Sequence, residues 1–170
     1  MREFLSEENI DLHREYLRNM KLKYSILTDS IPSLRDAGFK HIGRMKMTDR
    51  DRRDALGLFS EIRMHDVFFS SFSSTRFLPS ALAARCFGSE ASLLNEIYRQ
   101  ALLLPYGFAS VYVVGGRPCV RGSISSEELL SYGDPVLAID VSEHAYFMDY
   151  RFDKDRYLVC ALPYLDMTKI

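Results

Sequence analysis

The sequence predicts an α+β protein: an N-terminal long α-helical hairpin followed by an α/β half with a three-stranded antiparallel sheet. Apolar residues step by three and four through two long segments before residue 76, the signature of amphipathic helices. After residue 105 the period changes. A β-rich run, Phe108 to Val114, is followed by Gly115-Gly116 and a second run, Arg117 to Arg121, which reads as a hairpin. A third apolar run, Pro135 to Asp140, completes the sheet. The expected division is a helical hairpin domain over 1–76 and an α+β domain over 77–170.

Each element has a local cause. Ser6 can cap the first helix, with Glu7 and Glu8 in the first turn, where the helix dipole favours acids. Ile10, His13, Leu17, Met20, Tyr24 and Leu27 form its apolar stripe, and Ile31-Pro32 ends it. A loop rich in Arg and Lys follows, carrying Gly38, His41 and Gly43. Thr48, Asp49 and Asp51 open the second helix, whose stripe is Ala55, Leu58, Ile62, His65, Phe69 and Phe72. Two such helices joined by one loop pack antiparallel, so that His13 and His65 can meet. Serines clustered at Ser70, Ser71, Ser73 and Ser74 break the pattern. A short helix is expected over Ala81 to Arg85, and a longer one after Phe87-Gly88-Ser89, stopped by Pro105. Ser125-x-x-Glu128 is a capping box for a further turn. A helix around His144 and another from about Asp155 to Leu165 close the chain.

Composition limits the function. The 170 residues carry 22 Lys and Arg against 23 Asp and Glu, so bulk charge proposes no nucleic-acid partner and no membrane surface. No apolar run is long enough to span a bilayer. The first residues lack the apolar stretch of a signal peptide, and a cytoplasmic location is the default expectation. Cys86, Cys119 and Cys160 show no CxxC spacing and read as buried or half-buried thiols.

The chemistry concentrates on four residues. Asp140 ends a strand, and His144 follows four residues later at a helix start, so both can point into one pocket. His13 and His65 lie on opposed apolar stripes. A lone histidine on such a stripe is ordinarily a core residue with satisfied ring nitrogens, but a metal can serve several buried rings at once. Three imidazoles and one carboxylate form a harder donor set than the thiolates of structural zinc. The set suits iron or manganese with an open position for a small molecule; residue types alone also allow zinc hydrolysis.

The wording of these segments resembles the iron/manganese superoxide dismutases. Asp140-Val141-Ser142-Glu143-His144-Ala145-Tyr146 resembles the segment that supplies two of the family's ligands. Leu5-Ser6-Glu7-Glu8 before His13 resembles the cap before the first ligand. His65 to Phe69 resembles the His-x-x-x-Trp setting of the second, with Phe69 for the tryptophan. Phe87-Gly88-Ser89 and Pro105-Tyr106-Gly107-Phe108-Ala109 resemble two further segments. The resemblance implies one Fe or Mn ion per chain, held by His13, His65, Asp140 and His144. It also implies superoxide as a small-anion substrate, disproportionated to dioxygen and hydrogen peroxide, and a homodimer. In that dimer Glu143 would reach His144 of the partner chain.

The chain departs from the family pattern around the metal. Lys21 stands where the family has a tyrosine two turns after the first ligand, and Leu17 where it has a histidine. Phe147 replaces the tyrosine that pairs with that histidine, so both members of a hydrogen-bonded pair are apolar together. Glu61 and Ser125 occupy the two places where the family's subgroups carry a glutamine that bonds the metal-bound solvent. Glu61 is expected to accept a hydrogen bond from that solvent or to bind the metal. Phe69, Phe108, Ser110, Ser142 and Leu162 replace a tryptophan-rich wall, and Lys154 an arginine near the channel mouth. Glu61, Lys21 and Glu143 are the catalytic candidates beyond the ligands. The alternative expectation is a dismutase-like metal-binding protein with weak or altered redox or hydrolytic chemistry.

Overall fold

A computed structural model describes all residues, 1–170. The first helix, α1, runs over Glu7–Ser30. Ser6 Oγ accepts from the Asn9 N–H at 3.2 Å, satisfying one of the free donors of the first turn. Pro32 opens a 3-10 turn over Pro32–Leu34. A short helix, α2 (Phe39–Ile42), lies inside the segment expected to be loop. It forms because Leu34, Ala37 and Ile42 bury against Ala55 at the hairpin bend, burial that the charged composition of the segment conceals.

Helix α3 spans Asp49–Ser70, and Thr48 Oγ accepts from the Asp51 N–H at 3.1 Å. Its buried residues include Ala55, Met64, His65, Val67 and Phe68, whereas Leu58, Ile62 and Phe69 are half-buried, as is Phe72 just beyond its end. The buried arc is broader than the expected stripe because α3 is covered on two sides. One side meets α1; on the other, Met64, Val67 and Phe68 pack with Phe108, Tyr112 and Ala138 of the sheet.

Helices α4 (Ala81–Phe87) and α5 (Glu90–Leu103) are capped by Ser80 and Ser89, with Gly88 at a positive φ of 82° between them. Strands β1 (Phe108–Val114) and β2 (Arg117–Ser123) turn at Gly115-Gly116 in the expected register, Val111 opposite Val120. Ser125 caps α6, Ser126–Tyr132. Strand β3 covers Leu137–Asp140 and pairs with β1, giving the antiparallel order β2-β1-β3. It starts two residues later than expected because Pro135 has no N–H to give, although Val136 N–H still reaches the Val111 carbonyl at 2.8 Å.

The remaining helices are α7 (Glu143–Tyr150) and α8 (Lys154–Ala161). Pro163 cuts α8 short of Leu165, and a 3-10 turn over Leu162–Tyr164 takes its place. The main core gathers α5, α8 and the inner face of the sheet around Leu93, Ile97, Ile139 and Tyr157. Of the cysteines, Cys119 and Cys160 are half-buried as expected, but Cys86 is exposed, since it lies near the end of the short helix α4. No helix is long and apolar enough to cross a membrane.

Candidate metal centre

Four elements deliver the four candidate donors. His13 comes from the second turn of α1, His65 from the last turns of α3, Asp140 from the end of β3 and His144 from the first turn of α7. One donor atom from each residue lies within 4.8 Å of the others. Asp140 Oδ2 is 3.3 Å from His13 Nε2, 3.5 Å from His65 Nε2 and 3.1 Å from His144 Nε2. His65 Nε2 and His144 Nε2 are 3.3 Å apart.

The atoms are close, yet only the His65–His144 pair has hydrogen-bond geometry. Asp140 Oδ2 and both ring nitrogens of His13 are buried without a hydrogen-bond partner. Orphaned buried polar atoms are costly, and three imidazoles around one bare carboxylate oxygen are rare unless a cation completes them. The residues therefore fit a metal ion: their lone pairs converge on shared space.

The surrounding groups set ring orientation. His65 Nδ1 lies 2.7 Å from the Glu61 carbonyl. A carbonyl only accepts, so Nδ1 carries the proton and Nε2 turns its lone pair inward. Asp140 is held by backbone. Its Oδ1 accepts from the Ser142 N–H at 2.8 Å, and its carbonyl accepts from the Tyr157 hydroxyl at 3.1 Å. Gly107 locks the same corner: its N–H donates to Ser142 Oγ, and its carbonyl accepts from the Val141 N–H. At φ of 97° a Cβ there would lie 2.3 Å from the Ser123 carbonyl oxygen, so only glycine fits. Upstream, Ser71 Oγ accepts from the Ala138 N–H at 2.8 Å and joins the end of α3 to β3.

The electrostatics follow from burial and crowding. Burial alone pushes the Asp140 carboxyl up, but the imidazoles of His13 and His144 beside it overturn this and hold it well below the usual carboxylate range. Burial lowers His65, with the His13 ring adding to the effect and Asp140 opposing it. Burial opposes charge on His144 too, yet the neighbouring Asp140 carboxylate raises it. A divalent or trivalent cation in the centre would displace any proton shared among these groups.

The other expected residues are placed differently. Glu61 sits one turn before His65, but its Oε1 accepts from the Ser126 hydroxyl at 2.7 Å, and its Oε2 is 3.8 Å from the outward nitrogen of His65. Its side chain therefore backs the His65 ring. Lys21 forms an exposed ion pair with Asp66 at 2.8 Å and is not brought to the cluster. Glu143 is exposed at the start of α7, next to His144. Lys154 Nζ caps the end of α5 at the Leu104 carbonyl. Leu17 is buried, Phe147 packs on Phe152, and His41 is exposed on α2.

Aromatic rings close the site. Phe68 and Phe69 lie 4.8 and 5.0 Å from the His13 ring, and Phe108 lies 5.2 Å from His65. Two neighbours escaped the sequence reading. Tyr16 stacks on His144 with ring centroids 4.4 Å apart and lies 5.3 Å from His65. Its hydroxyl is pushed up, first by burial and then by the carboxylates of Glu61 and Asp140. Asn9 is fully buried and donates from its amide to the Ala145 carbonyl at 2.6 Å, tying α1 to α7. The available signal was spacing: Asn9 and Tyr16 stand four before and three after His13, on the same side of the helix.

A helical hairpin faces a small mixed half, and the hard His and Asp donor set between them could hold a metal ion. Residues 81–170, 90 of the 170, match the family described as iron/manganese superoxide dismutases, C-terminal domain. The chain belongs to the iron/manganese superoxide dismutase family. No curated protein matches it.

Proposed function

We propose that the chain is a superoxide dismutase that binds one iron or manganese ion through His13, His65, Asp140 and His144. The observation that carries the proposal is the convergence of four donor atoms whose buried members, Asp140 Oδ2 and His13 Nε2, have no other partner. Bound iron or manganese supplies a one-electron couple matched to superoxide. The reaction takes two superoxide ions and two protons to one dioxygen and one hydrogen peroxide.

The chain's own residues supply position and exclusion. The Glu61 carbonyl keeps the His65 proton on the outward nitrogen, and Ser142 N–H fixes which Asp140 oxygen faces the centre. Phe68, Phe69 and Phe108 keep bulk water from two of the donors, His13 and His65. With Leu17 and Phe147 apolar and Lys21 paired outside, protons come through solvent on the His144 side. Glu143, exposed beside His144, is free to contact His144 of a partner chain in a homodimer. The halves 1–76 and 77–170 then act as separate domains that contribute two ligands each.

The placement of Lys21 and Glu61 supports a second reading, a dismutase-like metal protein of slow or altered chemistry, because neither side chain is placed to serve the substrate. Metal analysis of purified protein followed by a superoxide-consumption assay separates the two. Stoichiometric iron or manganese with turnover above that of free metal supports the dismutase. The same metal content without turnover rejects it and leaves the second reading.

A further inference from the structure

Access to the centre is narrow. His13, His65 and Asp140 have no exposed side-chain surface, while His144 is 34% exposed. In the single chain, the approach left open to a small molecule runs along His144. The ring that lies on that approach is Tyr16, half-buried, stacked at 25° on His144 and also touching His65. The opposite walls are closed by Phe68 and Phe108, which are almost wholly buried. None of the five principal cavities is lined by Tyr16 or by any of the four donors. The nearest of them, about 600 Å³ beside Arg2 and Arg14, stops at Leu17 and Phe69.

We propose that the Tyr16 ring is the specificity-determining gate of the centre, admitting slim ions of two or three atoms and rejecting ring-sized ligands. The gate works by shape: the phenyl face covers His144, and the tyrosine hydroxyl is not needed for it. This inference rests on the reading of the cluster as a metal centre and adds to it the size of ligand that enters.

The test uses the full chain loaded with iron or manganese and two probes, azide and imidazole, titrated by the visible absorption of the metal. Wild type is expected to bind azide and to discriminate against imidazole. Tyr16→Ala should tighten imidazole by about tenfold or more while azide changes by less than about threefold, the range that pocket shape alone provides. Tyr16→Phe keeps the ring and should match wild type for both probes; Tyr16→Leu should fall between. Metal should also pass to a chelator faster from Tyr16→Ala than from Tyr16→Phe, a readout independent of turnover. Leu17→Ala, which opens the route from the Arg-lined cavity, should leave the ratio of the two affinities unchanged.

The gate is overturned if loaded Tyr16→Ala and Tyr16→Leu keep the wild-type ratio, or if Leu17→Ala changes it instead. A wild-type chain that holds no metal overturns the centre itself, and the gate with it.

Discussion

The two donors from the hairpin and the two from the strand-helix corner are held in different ways. His13 and His65 are fixed by packing: Phe68, Phe69 and Phe108 press on their rings, and both are fully buried between long helices. Asp140 is fixed by hydrogen bonds at and around it through Ser142, Gly107, Tyr157 and Ser71, while His144, one turn further on in α7, keeps part of its ring in solvent. The first pair forms a bed that yields little, because packed interiors deform at high cost. The second pair is a corner whose geometry depends on a few donors and one glycine. Loss of a hairpin donor leaves a cavity that solvent enters poorly, whereas at His144 water can reach the vacated position.

Exposure orders the expected effects: Asp140 is as closed as His65, and only His144 is open. Asp140→Ala and His65→Ala should reduce bound metal to below about a tenth of an ion per chain, more than the roughly 10- to 100-fold affinity loss typical of groups that merely support a ligand. His144→Ala should retain more metal than either, measured by elemental analysis after dialysis. Equal losses at all three positions would break the contrast between closed and open donors.

Gly107→Ala should cost about 3 kcal/mol in the midpoint of urea unfolding, from a strained positive φ together with a clash against the Ser123 carbonyl. Ser71→Ala strips a partner from the buried Ala138 N–H and should cost about 1–2 kcal/mol in the same assay. A neutral Ser71→Ala would show that the corner does not depend on the end of α3.

Acid sharpens the comparison in the metal-free protein. Asp140 has its folded pKa lowered, so its contribution to stability is present above the unfolded value, about 3.9, and is lost as pH falls below it. His144 has its folded pKa raised; its contribution is present below the unfolded value, about 6.5, and is lost as pH rises through the folded one. His65 has its folded pKa lowered and gives the opposite trend to His144 as pH falls from that value. Asp140→Asn should therefore flatten the acid limb of metal-free stability below about pH 4, with unfolding followed by circular dichroism.

The smallest effect is expected at Glu61. The Glu61 carbonyl orients His65, while its carboxylate bonds Ser126. Glu61→Gln should change metal affinity and superoxide turnover by less than about threefold, below the usual range for groups that support a ligand. A drop of about tenfold or more would show that the charge behind His65 tunes the centre after all.

Much of this was legible in the chain, and the reasons are local. The caps at Ser6, Thr48, Ser80, Ser89 and Ser125 each accept a backbone N–H in the structure. Gly115-Gly116 set the register of the hairpin. The four donors were visible because helical spacing placed His13 and His65 on inner faces and a strand end placed Asp140 before His144. Less local features were hidden. The buried arc of α3 depends on the sheet behind it, and α2 depends on burial against Ala55. The directions of Glu61, Lys21 and Lys154 were set by Ser126, Asp66 and the Leu104 carbonyl, all distant in the chain. Tyr16 is marked by no motif in the chain, because only the fold brings α7 and His144 beside it.

The most direct measurement is anomalous diffraction from crystals of the full chain, recorded at the iron and manganese edges. A single peak per chain within bonding distance of His13 Nε2, His65 Nε2, His144 Nε2 and Asp140 Oδ2 is the predicted result. A metal-replete preparation with no such peak, or with its peak elsewhere in the molecule, would contradict the account.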